Sequence, residues 1–148
     1  MGLRCSPYQV AQRTLRWTGA VQSMGALRPD VELHGADRII WIDAKYKRHL
    51  QQLAYRGWSG ATADLQAEHR ADLHQALAYA ALADTPQVDT LLMYPDPAAD
   101  EAPLAGCAVV TSGRRTVRLF LAGAPFGFRN APHKERYLNG LRQLLATG

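Results

Sequence analysis

Between Arg28 and Arg48 the chain reads RPDVELHGADRIIWIDAKYKR, and no other stretch restricts the fold as tightly. Val31 and Leu33 alternate with Asp30, Glu32 and His34. After Gly35, Ala36 and Asp37, the residues Ile40, Ile42 and Ala44 alternate with Trp41, Asp43 and Lys45. A period of two belongs to a half-buried strand, so both halves are expected to be strands. The triplet between them is turn material, because Gly tolerates positive φ and Asp bonds its own backbone. The expectation is therefore a β-hairpin.

If the loop is centred between Ala36 and Asp37, antiparallel pairing sets Asp30 opposite Asp43, and directly opposed residues point to one face. Lys45, two residues beyond Asp43, shares that face. Two opposed carboxylates repel unless a cation sits between them. A hard divalent ion, Mg²⁺ or Mn²⁺, suits two carboxylates plus a carbonyl and waters. Lys45 beside that ion would hold or deprotonate a water, or neutralise charge building on a phosphate. The three side chains together suggest metal-assisted phosphodiester hydrolysis.

Pro29-Asp30, twelve residues, then Asp43-Ala44-Lys45 resembles the signature of the PD-(D/E)xK nucleases. Within that superfamily, Asp43-Ala44-Lys45-Tyr46-Lys47 is most similar to McrC, the nuclease subunit of the McrBC modification-dependent restriction systems. Further on, Gln75 and Tyr79 match the QxxxY pattern of many such nucleases, and His74 to Ala80 resembles the corresponding McrC helix. The resemblance covers about Arg13 to Phe128. It implies an α/β fold with a restriction-endonuclease-like core, a mixed central β-sheet flanked by helices. It also implies a Mg²⁺-dependent DNA endonuclease, with Mn²⁺ as a possible substitute. Asp30, Asp43 and the Ala44 carbonyl would bind the metal, and Lys45 would position or activate the attacking water. Gln75 would orient Lys45 or a phosphate, supported by Tyr79. The implied partners are DNA and an McrB-like GTPase motor that recognises modified sites; cutting both strands makes dimerisation on DNA plausible.

The resemblance has a gap. Nucleases of this type often carry an acidic residue on a helix ahead of the first core strand, but Met1 to Gly25 contains none, offering only neutral groups such as Gln9 and Gln12. Either a polar group substitutes, or a longer N-terminal part of the protein is missing. The partner-docking region of longer McrC-type proteins is also expected to be absent. Two other readings stay open: a DNase toxin or effector of the same core with an immunity partner, and a nucleic-acid-binding module that has lost cleavage.

Composition agrees with one globular domain spanning 1–148, since 47% of 148 residues are hydrophobic and 20% charged. Its net charge of +4 has the sign a nucleic-acid binder needs, and arginine suits bidentate phosphate contact. Cys5 and Cys107 have no zinc-ligand spacing, and the five histidines show no HExxH pair. His34 is expected as a turn residue. With no membrane-length apolar run and no signal-peptide segment, a cytoplasmic protein is expected. No GxxxxGK[ST] loop occurs, so any NTP-driven motor must be another protein.

Elsewhere, Ser6-Pro7 is expected to open a short helix, and Thr14 to Thr18 to form a strand pairing with the hairpin. Arg4, Arg13 and Arg16 read equally as a phosphate groove or as solvated edge charge. Lys47 to Gly60 interleaves basic and aromatic residues, which suggests a mobile DNA-contacting loop using Lys47, Arg48 and Arg56. Ala61 to Asp84 is the clearest helix, capped by Thr62, with Leu73, Ala76, Leu77 and Ala80 as its packing stripe. Glu68, Asp72, Gln75 and Tyr79 form a second, polar stripe. Val88 to Tyr94 reads as a buried strand. Ala105 to Thr111 and Thr116 to Leu121 read as a hairpin, with Arg114 and Arg115 solvated at its turn. Pro132 to Ala146 reads as a terminal helix with Tyr137, Leu138, Leu141, Leu144 and Leu145 inward.

Overall fold

The structure, a computed structural model, describes residues 4–5, 13–14, 18, 26–27, 29–47, 49–97 and 105–147. In chain order the strands are β1 (Arg4–Cys5), β2 (Arg13–Thr14), β3 (Ala26–Leu27), β4 (Val31–His34), β5 (Arg38–Ala44), β6 (Gln87–Pro95), β7 (Ala105–Ser112) and β8 (Arg115–Ala124). The helices are α1 (His49–Arg56), α2 (Ala63–Ala81) and α3 (Ala131–Thr147). One mixed sheet runs β1-β4-β5-β6-β8-β7; β5, β6 and β8 are parallel, and β1, β4 and β7 are antiparallel to their neighbours. The α/β architecture with a mixed sheet flanked by helices agrees with the sequence.

The β4–β5 hairpin has the register that its hydrophobic pattern demands. Val31 pairs with Ile42 and Leu33 with Ile40, and the Gly35 N–H donates to the Arg38 carbonyl across the turn at 2.9 Å. Alternation then sorts the sheet into two apolar faces. On one, Ile39, Trp41, Val88 and Val117 meet Tyr79, Ala80 and Ala83, and Leu92, Tyr94 and Leu119 meet Leu50 and Ala76. On the other, Ile40, Leu91, Phe120 and Ala122 pack with Leu145, Leu141 and Leu144. Helices α1 and α2 thus cover one face and α3 the other, which is why β6 reads as a nearly unbroken apolar run.

Helix α2 begins at Thr62, whose hydroxyl accepts the Leu65 N–H at 3.3 Å. Its C-terminus is held by Arg115, which donates to the carbonyls of Ala81 at 3.0 Å and Ala83 at 2.5 Å. Arg115 is therefore a clamp on the carbonyls at and just beyond the end of α2, not the solvated turn residue expected. Gly113, with φ of 60°, makes the tight turn beside it.

Three further expectations need correction. The stretch after the hairpin is mostly helix, α1, because HLQQLAYR is rich in helix formers and Leu50 finds a buried seat against Leu92 and Tyr94. Gly57, with φ of 67°, ends it by donating its N–H to the Leu53 carbonyl at 2.8 Å. Second, β2 pairs with β3 in a separate two-stranded sheet, and it is β1 that joins the hairpin, with Arg4 across from His34. Third, His34 closes β4, and its Nε2 lies 2.7 Å from the buried Glu32 carboxylate. The expected helix from Ser6 and the residues Leu15 to Trp17 lie outside the described residues, as does Arg48. No described helix is long and apolar enough to cross a membrane.

Candidate functional site

Strands β5 and β6 run parallel, and their carboxyl ends open where ligands commonly bind in open α/β sheets. The Lys45 N–H donates to the Met93 carbonyl at 2.7 Å and fixes the first residue beyond β5. Continuing the β4–β5 register by one residue brings Asp30 across from Asp43. There the Asp30 carboxylate accepts the Ala44 N–H at 2.7 Å, which folds its side chain against the end of β5. Asp43, Lys45 and Asp30 thus gather at the carboxyl end of β5, on the face that α2 covers.

Lys45 is the hub. Its Nζ lies 2.5 Å from Asp43 Oδ2 and 3.4 Å from Asp72 Oδ1, and it donates to Gln75 Oε1 at 2.7 Å. Gln75 in turn donates from Nε2 to the Tyr79 hydroxyl at 2.7 Å. The polar stripe of α2 is therefore turned toward the hairpin, and one amide links Tyr79 to the lysine.

Burial is the largest influence on the Asp43 carboxyl and raises its pKa. Lys45 pulls it down and Asp30 pushes it up, and the net direction is upward. For Lys45, burial works to lower the pKa but is outweighed by the hydrogen bonds and charges of Asp43 and Asp72, so its ammonium is stabilised. Burial likewise raises the Tyr79 phenol, which stays protonated. Two carboxylates, Asp43 and Asp72, face Lys45, and a third, Asp30, acts on Asp43.

That excess of hard oxygen donors fits a small divalent cation. Asp30 and Asp43, with the Ala44 carbonyl beside them in the chain, could hold one. The poor solvation of Asp43, only 7% exposed, is a cost that a cation would relieve.

Beyond Asp72 the polar contacts continue. The Tyr94 hydroxyl donates to Asp72 Oδ2 at 3.0 Å and lies 3.2 Å from His69 Nδ1. His49 Nε2 is 2.7 Å from Glu68 Oε2, and Lys47 Nζ is 3.1 Å from the same oxygen. These two partners hold the Glu68 carboxyl below its ordinary range, the Lys47 hydrogen bond being the larger cause.

The sequence places Asp72 and Glu68 on the right stripe but assigns them no role; it counts His49 among the basic residues after the hairpin and gives His69 no ligand spacing. The signal that could have found them is His69 and Asp72 three residues apart on a helix. No local pattern announces His49, which arrives from α1.

The basic residues assigned to DNA divide. Lys47 is exposed and tied to Glu68, and Arg56 sits exposed in the last turn of α1, at the other end of that helix from His49. Tyr46 and Tyr55 are also exposed, at 94% and 89%, while Trp58 leans over His69 with ring centroids 6.1 Å apart. Searched against protein-family models and against curated proteins, the chain matches none.

Proposed function

We propose that the chain is a Mg²⁺-dependent DNA endonuclease of the PD-(D/E)xK type, resembling McrC and acting in the cytoplasm with an McrB-like GTPase motor. The observation that carries the reading is the convergence of Asp30, Asp43, Lys45 and Gln75 at the carboxyl end of the parallel strands. A chance D-x-K tripeptide on a solvated hairpin would not bury Asp43 or link the lysine to an orienting amide.

In this reading Asp30, Asp43 and the Ala44 carbonyl hold the cation. Bound there, it supplies Lewis-acid activation of the scissile phosphate and of the attacking water. Lys45, kept as an ammonium by Asp43 and Asp72, donates to that water or to a phosphate oxygen rather than taking a proton. Gln75 fixes the Nζ by accepting one of its hydrogens, and Tyr79 fixes Gln75. Lys47 and Arg56 offer positive charge to the flanking phosphates.

The test is conversion of supercoiled plasmid to nicked circles in Mg²⁺, with the motor subunit supplied. Asp43→Ala and Lys45→Ala are expected to lower the rate by about 10²-fold or more, and a chelator to abolish it. Nicking that both variants retain at the parental rate removes the proposed site. Salt-sensitive DNA binding with no turnover in Mg²⁺ or Mn²⁺ points to a non-cleaving module instead.

A further inference from the structure

We infer that His49, His69 and Asp72 form a second cation site, chemically unlike the acidic one, suited to a divalent ion of the zinc class. Each offers a ligand atom, and these atoms lie within 4.8 Å of one another. Both histidines are buried, 5% and 3% exposed, and the Asp72 side chain is 13% exposed.

The orientation of His49 is the independent observation. Its Nε2 faces the Glu68 carboxylate at 2.7 Å, which favours the tautomer with the proton on that nitrogen. Its Nδ1 is buried with no hydrogen-bond partner among the described residues, and the nearest acidic atom is Asp72 Oδ2 at 3.7 Å. In that tautomer the Nδ1 lone pair lies 3.7 Å from a carboxylate oxygen, an arrangement that a cation would turn from repulsive to attractive. A carboxylate on the outer nitrogen and a metal on the inner one is the usual way a ligating imidazole is held. His69 and Asp72, three apart on α2, present their groups on the same side.

The donor set selects the ion. Imidazole nitrogens suit Zn²⁺ and its neighbours, whereas Mg²⁺ prefers oxygen and its own waters. Two histidines and one carboxylate would give three protein ligands, and the Tyr94 hydroxyl, which now donates to Asp72 and lies 3.2 Å from His69 Nδ1, would give up those contacts to the ion. An ion there would tie α1 to α2. It would also share Asp72 with Lys45, whose Nζ is 3.4 Å from the other carboxylate oxygen. The inference does not depend on nuclease activity, since binding alone tests it.

The experiment uses the full chain, stripped with a chelator and titrated with Zn²⁺ alone by calorimetry, while nitrogen-detected histidine NMR follows the rings. The tightest equivalent is expected to shift the rings of His49 and His69 but not those of His34, His74 and His133, with any second equivalent at the acidic site leaving the rings unmoved. His69→Gln is expected to weaken binding at least tenfold, and Asp43→Asn to leave it within threefold. Absence of saturable binding, shifts confined to the other three histidines, or zinc affinity lost with Asp43→Asn and kept with His69→Gln would each overturn the site. The ring shifts are read on the unmutated protein, so a variant that fails to fold does not leave the question open.

Discussion

Asp89, the third residue of the apolar strand β6, is 0% exposed. Its carboxylate accepts from Arg118 Nε at 2.7 Å and from the terminal nitrogen at 2.6 Å, and from Arg38 at 3.2 Å. Both guanidiniums also donate to the Leu145 carbonyl, at 3.1 and 3.2 Å, so the cluster anchors the end of α3 to the sheet. Asp89→Ala removes the only carboxylate in this network among the described residues and strands the buried Arg118 charge, which costs about 3–5 kcal/mol.

For 148 residues, an unfolding entropy of about 2.1 cal/mol/K per residue gives about 0.3 kcal/mol/K, so the melting temperature falls by about 10–16 °C. Most of that loss is the orphaned cation rather than the worth of the pair. Asp89→Leu combined with Arg118→Met therefore melts well above Asp89→Ala, because it leaves neither charge in the core. Calorimetry and urea unfolding at neutral pH measure both. A drop under about 3 °C for Asp89→Ala, or a double variant no better than the single one, refutes the reasoning.

Gln75→Ala releases Lys45 from its orienting acceptor and is expected to slow plasmid nicking by about 10–100-fold, with Tyr79→Phe milder because it removes only a partner of Gln75; nicking at the parental rate by Gln75→Ala contradicts the arrangement. A Cβ on Gly123 would lie 2.7 Å from Asp96 Cβ and Oδ2, whereas one on Gly106 meets nothing within 4 Å. Urea midpoints should therefore show Gly123→Ala destabilised by about 1–3 kcal/mol and Gly106→Ala little changed. Tyr137 donates its hydroxyl to the Gly123 carbonyl at 2.9 Å, and burial, aided by Asp96, pushes its pKa up to about 12. The folded chain keeps this proton after the unfolded chain loses it, so the contribution to stability is full below about pH 10 and fades as pH rises to about 12. Unfolding midpoints across that window should fall more steeply for the parent than for Tyr137→Phe; parallel curves would mean the phenol is not shielded.

How much of the site was legible follows from how far each residue stands from its partners in sequence. Asp30 and Asp43 belong to one hairpin, so counting from Gly35, Ala36 and Asp37 sufficed to bring them face to face. Gln75 and Tyr79 were legible as a helical stripe, but that the stripe turns toward Lys45 depends on the α1–α2 crossover from β5 to β6. The stretch from Lys47 to Gly60 misled because its charges and rings suggested an exposed loop, whereas burial of Leu50 against β6 decided for a helix and carried His49 inward.

By itself the sequence determined the hairpin and its register, the helices around Leu73 and Leu141, and the apolar strand β6, because periodicity of two or 3.6 reports which face of a segment meets the core. Only tertiary structure decided that Asp89 finds Arg118, that Arg115 closes α2, and that His49 meets His69 and Asp72. Each of these joins groups from separate elements, and their polar atoms can enter the interior only where the packed chain supplies a partner of the right charge.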